Sequence, residues 1–371
     1  MSKRTIALIL AVGLLITACA DGSDTATTEP ETTTTQPTET TEAPTTTTAE
    51  APDTLTIISH DSFAGGVTDE TFAAFTDETG ISVEVLPAGD AGSMTNQAIL
   101  TAGNPVADIL FGIDDSFLSR ALEAEIFVPF ESELLGNVPD DLELDPSHRV
   151  TPIDFGDVCL NYDISAFEGS APPFNLEQLT NPEFAGQLVV ESPATSSPGL
   201  AFLFATIATF GEDGWQDYWR DLVANDVEVV SDWDTAYYSE FSHWGGDDPL
   251  VVSYASSPPA EVIFAEEPIT EAPTAVIDEG CYRQIEFAGI LDGTDHPAEA
   301  GLLIDFMLSP EFQEQIPLTW FVFPANESVE LPAEFVEHTV IPASPLSLDP
   351  DLVEQNRERW IEEWTEIVLG S

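Results

Sequence analysis

Lysine is all but missing from this chain. Lys3 is its only one, and with the arginines it makes 8 cationic side chains against 68 Asp and Glu in 371 residues, a formal charge of −60. So few cations cannot line a basic groove, which excludes nucleic acid and anionic lipid as partners of a charged face. Histidine is scarce as well, and the 5 present do not fall at metal-ligand spacings. Neither H-E-x-x-H nor G-x-S-x-G occurs, so the common zinc-protease and serine-hydrolase arrangements have no foothold and the chain reads as a non-enzyme without cofactor or metal. With so many carboxylates, pairs that look catalytic arise by chance, so a secreted hydrolase is the remotest reading.

Against these shortages stands an ample stock of core-forming residues, with 22 Phe, 7 Trp and 43% hydrophobic side chains. That is a folded protein and not an acidic disordered tail. The length fits two folded lobes plus extras. The acidity has two compatible readings, a salt-adapted proteome or attraction of a cationic ligand.

At the amino terminus Lys3 and Arg4 precede a mostly apolar run from Thr5 to Ala18, too short to span a bilayer but suited to a secretory signal. Its end, Ile16-Thr17-Ala18-Cys19, looks like a lipobox, with residues 1–18 removed and Cys19 carrying the lipid that anchors the chain to the extracytoplasmic side of the membrane. Residues 19–53 follow as a tether. Between Asp21 and Glu50, 14 residues are Thr, mixed with Pro, Glu and Ala, and nothing there can offset the entropy of ordering. Such a chain reaches roughly 30 Å. With Cys19 taken by lipid, Cys159 and Cys281 remain as an even pair in an exported chain, which favours a disulfide over a two-cysteine metal site.

Beyond the tether, strand-like and helix-like segments alternate. Leu55–Ser59 reads as a strand, Asp61–Gly66 as a loop, Asp69–Glu78 as a helix with Phe72 and Phe75 inward, Ile81–Val85 as a strand, Ser93–Thr101 as a helix and Asp108–Ile113 as a buried strand. Gly186–Glu191, Val227–Val230 and Leu250–Tyr254 supply further strands, and an apolar helix runs from Leu200 to Phe210. This order predicts an α/β protein with its ligand at the carboxyl ends of parallel strands. The hydroxyls of Thr195, Ser196 and Ser197 just before the apolar helix are N-cap candidates first, and their excess over one cap points to a ligand grip as well. Trp233 and Tyr254 close two strands, where a packing role is the plainer reading and a common cleft the sharper one. Val150–Tyr162 and Tyr282–Leu291 read as crossings between lobes, each close to one of the two cysteines.

The order of several motifs resembles the thiamine-binding substrate-binding proteins of bacterial ABC importers. They are His60 with Asp61-Ser62-Phe63-Ala64, the run Ala107–Asp114, Thr195–Leu200, Ser253–Pro258, Phe306–Gln313, Ile316-Pro317 with Trp320 and Pro324-Ala325-Asn326, and Arg359–Trp364. The likeness extends from about Leu55 to Val368. It implies a two-lobed periplasmic-binding-protein type II fold with hinge-connected, parallel-rich sheets, lobe 1 being residues 54–156 and 286–371 and lobe 2 residues 157–285. It implies thiamine or a phosphorylated thiamine as ligand, a permease and ATPase complex as partner, and a monomer. Carried onto this chain, the binding positions are His60, Asp90, Ala91, Ser196, Ser197, Trp233, Tyr254, Ala255, Ser256, Ser257, Pro258 and Trp320. Aromatic faces and carboxylate acceptors suit a flat aminopyrimidine and a permanently cationic thiazolium. Where close relatives carry Arg this chain has Ala194, and His60, Val67 and Ala260 replace aromatic residues, which weighs against a phosphate and thins the aromatic wall. Within the same fold the rivals are ferric ion, for which Tyr237-Tyr238 is an adjacent phenol pair, and a polyamine.

Overall fold

A computed structural model describes residues 52–265 and 267–370, which fall in one compact unit. The signal segment 1–18, Cys19 and all but the end of the tether lie outside the described residues. Ten strands make one mixed sheet: β1 (Thr54–Ser59), β2 (Ser82–Pro87), β3 (Ile109–Asp114), β4 (Phe127–Val128), β5 (Thr151–Asp163), β6 (Leu188–Glu191), β7 (Glu228–Val230), β8 (Leu250–Tyr254), β9 (Thr274–Leu291) and β10 (Phe323–Pro324). Their order is β2-β1-β3-β9-β5-β8-β6-β7, with β4 added to β9 and β10 to β5. The strands run parallel at both ends, in β2-β1-β3 and in β8-β6-β7. The middle is antiparallel, through β3-β9, β9-β5 and β5-β8. The expected parallel-rich halves are therefore present as the flanks of one continuous sheet. β3 and β6 are buried along their whole lengths, as parallel strands covered on both faces should be.

The two expected crossings are the long strands β5 and β9, the second starting earlier than its sequence pattern indicates because its polar half still pairs with β5. Their ladder shifts register twice, between Pro152 and Asp154 and between Val158 and Leu160. Pro152 has no N–H to give the ladder, which accounts for the first shift. A disulfide joins Cys159 to Cys281 at the second, with Ala255 buried against it.

Several short helices start elsewhere than their patterns indicate. The Asp61–Gly66 segment is a helix, α1, because the His60 ring caps it by accepting the Phe63 N–H, a cap that the Gly65-Gly66 ending conceals. α2 spans Ala73–Thr79, four residues later than its apolar pattern, with Phe72 at the cap and both Phe72 and Phe75 buried. α3 (Ala91–Leu100) is capped by the Asp90 carboxylate, and α4 (Asp115–Glu123) by Asp114, which accepts from the Ser116 and Phe117 amides at 2.8 and 3.1 Å. α5 (Ser197–Phe210) begins with Pro198 in its first turn, and Ser196 at its cap position makes no side-chain capping bond. α6 (Trp215–Ala224) and the terminal helix Pro350–Val368 pack through Trp219 and Trp364, whose rings meet edge-on at 5.4 Å. Trp215, Trp219, Trp360 and Trp364 are all fully buried, so four of the seven tryptophans serve the core. Among the described residues no helix is long and apolar enough to cross a membrane.

Candidate functional site

A cavity of about 510 Å³ opens at the carboxyl ends of the parallel strands, within the usual size range for small-molecule sites. After β1 come His60, Asp61 and Phe63, and after β2 Gly89 and Asp90. After β6 come Ser197 and Pro198, and after β7 Asp232, Trp233, Asp234 and the Tyr237-Tyr238 pair. Tyr254 ends β8, and Ser257 opens α7 (Ser257–Ile263) just beyond it. Asp154 of β5 and Glu286 of β9 reach in from the antiparallel middle, and Thr319 to Val322 close one side. Open α/β sheets place ligands in this position because the loops there converge at the change of strand order.

The lining is strongly anionic. Among the described residues six carboxylates face the space, from Asp61, Asp90, Asp154, Asp232, Asp234 and Glu286, with His60 as the only basic side chain and no Lys or Arg. The His60 Nδ1 accepts the Phe63 N–H at 3.2 Å, so the ring proton lies on Nε2, 3.3 Å from Glu286 Oε2. Burial pulls the His60 pKa down, but Glu286, Asp90 and Asp114 pull harder and leave it raised, while a second ring proton would have to give up the α1 cap. Tyr254 donates to Gln284 at 3.2 Å, and Gln284 donates to Glu286 at 3.3 Å, so Glu286 receives hydrogen bonds on both oxygens. Asp154 Oδ1 is buried and receives none. Burial raises the pKa of Asp90 despite the Ala91 amide that opposes it. Burial and then Glu286 lift Asp154 well above the ordinary carboxyl range. Behind the lining, burial brings Asp114 to about 7 and Asp115 to about 8, with Ser197 opposing the first shift and Asp114 adding to the second. Asp234 is raised by burial and by Asp232 and Asp61, and it feels His60 as well, so charge from β7's loop meets charge from β1's loop across the cavity.

Aromatic rings make the rest of the wall. Trp233 stacks on Tyr237 with centroids 5.0 Å apart and donates its indole N–H to Ser253 at 2.9 Å, which fixes both the plane and the tilt of the ring. Tyr238 meets Trp233 edge-on and is half exposed. Trp320 packs nearly parallel to Phe63 and to Phe312 and donates to the Phe63 carbonyl at 3.1 Å. Two glycines make room for rings of the site. A Cβ at Gly156 would lie 2.9 Å from Tyr254 Cδ1, and one at Gly112, whose φ is +92°, would lie 2.2 Å from His60 Cδ2.

The cavity brings together His60, Asp90, Ser197, Trp233, Tyr254, Ser257 and Trp320 from the expected set. Ala91, Ser196, Ala255, Ser256 and Pro258 are buried outside the lining. Ala91 gives its amide to Asp90, Ala255 packs on the disulfide and Ser256 donates to the Phe321 carbonyl. Asp154, Asp232, Asp234, Glu286 and Phe321 are lining residues that sequence reasoning did not single out. The strand-end rule could have flagged Asp232 and Asp234, beside Trp233. Nothing local marks Asp154 and Glu286, since what joins them is long-range pairing of β5 with β9.

Residues 104–356 match the family of bacterial extracellular solute-binding proteins. The thiamine-binding periplasmic protein of Salmonella typhimurium is 30% identical over 314 residues, which is 84% of this chain and 92% of that one. A solved periplasmic thiamin binding protein superposes with a TM-score of 0.74 at 26% identity, over 85% of this chain and 96% of the other. Iron-bound HitA from Pseudomonas aeruginosa shares the fold at a TM-score of 0.71 and 20% identity, over 85% and 99%.

Proposed function

The chain belongs to the bacterial extracellular solute-binding proteins, and from that premise we propose that its cavity captures thiamine, as the free vitamin in preference to its phosphates, and delivers it to an ABC permease. The observation that carries this reading is the lining itself: six carboxylates, a wall of aromatic rings and no Lys or Arg. A permanently cationic, flat ligand gains from both features, through ionic attraction and through contact with Trp233 and Tyr254. A phosphate ester would place its anion among carboxylates with no guanidinium to receive it. The likeness to thiamine-binding relatives over most of both chains supports the same ligand.

Capture by this reading closes the lobe of residues 54–156 and 286–371 on the lobe of residues 157–285, with β5 and β9 as the hinge strands. Contacts from both lobes, such as His60 and Asp234, favour the closed form that the permease would recognise. Cys19 would anchor the receptor by lipid and the tether would keep it near the permease. The ferric alternative is disfavoured at the Tyr237-Tyr238 pair. Tyr237 donates to Glu261 at 2.7 Å, and burial and that carboxylate hold its pKa far above the ordinary phenol value, opposite to what a phenolate ligand needs.

Calorimetric titration with thiamine, its mono- and diphosphate, ferric ion and spermidine tests the proposal. Thiamine should bind one to one and quench tryptophan fluorescence, with each phosphate weakening it. A protein indifferent to millimolar thiamine that takes up one of the other solutes would defeat it. Trp233→Ala should weaken thiamine by about 0.5–2 kcal/mol, the range of a single cation–π contact.

A further inference from the structure

We propose that Asp154 and Glu286 are the counter-charge for the cargo's fixed positive charge, and that the cargo-free protein holds a proton on this pair which the bound cation displaces. The inference rests on the thiamine reading and goes beyond it, to which residues meet the cation and what leaves when it arrives.

The two residues are direct cross-strand partners on β5 and β9, so their side chains rise from one face of the sheet, and both line the cavity. They are also unequal. Glu286 takes hydrogen bonds from His60 and Gln284, while Asp154, only 4% exposed, has an oxygen with no partner at all. A buried acceptor without a donor is costly to leave so, and in a native site it marks a group whose partner arrives from outside. The neighbours offer that oxygen no cation. The groups whose charge meets Glu286 are His60 at the end of β1, Asp90 at the α3 cap, Asp114 and Asp115 between β3 and α4, and Tyr254 at the end of β8, while Asp154 meets Glu286 itself. The nearest guanidinium on these strands, Arg283, is bound to Asp157.

Two carboxyls sharing a desolvated place do not both ionise. Asp154 is the carboxyl with an oxygen that no donor reaches, so the proton is held there, in line with its raised pKa. When a fixed cation enters, the Asp154 O–H breaks, the proton goes to bulk water and the carboxylate left behind faces the cation. Charge in the cavity is thereby conserved, which removes most of the cost of burying an ion. A neutral solute would gain nothing from this exchange.

Calorimetry of thiamine binding to the whole protein between about pH 6 and 8, in PIPES and in Tris, reads the exchange directly through the different heats of buffer protonation. About one proton should be released per thiamine, and affinity should rise by up to about tenfold per pH unit over the range in which the proton is held. Asp154→Asn should abolish the release and flatten the pH dependence, and Glu286→Gln should weaken thiamine at every pH. Thiamine binding with no proton released and with the same affinity across the range overturns the inference and leaves the thiamine reading intact. Failure to bind thiamine in either buffer overturns both. The wild-type proton count decides the matter even where a variant does not fold.

Discussion

Two charge pairs sit three residues apart on the same two strands, and they are opposites. Asp157 and Arg283 face each other across β5 and β9 with nitrogen–oxygen distances of 2.6 and 3.2 Å, and the guanidinium also lies 4.6 Å over the Phe155 ring. Burial lifts the Asp157 pKa and Arg283 pulls it partly back. Asp154 and Glu286 have the same cross-strand relation but equal signs, and one carboxyl oxygen is left without a donor. The first pair is complete within the protein and belongs to the scaffold. The second is incomplete, and it is the one in the cavity. Successive residues of a strand point to opposite faces, so a shift of three places changes which side a pair serves. The β5–β9 ladder can therefore be self-contained on one face and receptive on the other.

Four experiments break or sharpen this contrast. The largest effect should come from the staple at the end of the same ladder: replacing Cys159 and Cys281 by Ala opens a covalent loop with a separation of 122 residues and should cost about 4–5 kcal/mol in the chain-entropy account, read by denaturant unfolding. Next, Arg283→Leu leaves the buried Asp157 carboxylate unpaired and should cost about 3–5 kcal/mol, with thiamine affinity in the surviving folded fraction unchanged because Arg283 does not line the cavity. A loss of affinity as large as the loss of stability would erase the distinction between the two pairs. Gly156→Ala, between them, pushes a methyl group against the Tyr254 ring and should cost about 1–3 kcal/mol of stability together with weaker ligand binding. The last is a slope. Burial raises Asp114 from 3.8 to about 7 and Asp115 from 3.8 to about 8, so the unfolded chain loses these protons first as pH rises. Melting temperature of the ligand-free protein should therefore fall between about pH 4 and 8, with no further loss from these groups above their folded values. Asp115→Asn keeps an oxygen for the Ile285 N–H at 3.0 Å and should flatten the upper part of that fall.

Much of this architecture was legible in the residues. The strand runs at Leu55, Asp108 and Leu250 carry apolar patterns that only burial satisfies, and β1, β3 and β8 lie where those patterns put them. The cysteine pairing followed from an even count in an exported chain, and the bond is present. Misreadings cluster where a side chain overrides local propensity. Two glycines in a row look like a loop, yet the His60 ring closes a helix over them. Three hydroxyls before an apolar helix look like caps, yet α5 starts without one, and the Ser196 and Ser197 hydroxyls lie by the carboxyls of Asp90 and Asp114 without a well-formed hydrogen bond. Trp320 lines the cavity as one of the expected positions, and its ring also packs on Phe63 and Phe312.

Local patterns determine the alternation of strands and helices, and composition, with 8 basic side chains against 68 acids, supplies carboxylates in plenty for a site that suits a cation. Which acids would meet that cation was decided only by tertiary structure. Asp154 and Glu286 are 132 positions apart in the chain and become neighbours through the β5–β9 ladder alone. Burial, which raises a carboxyl's pKa and gives it a reason to exchange a proton for a cation, is a property of that assembled neighbourhood and of no single residue within it.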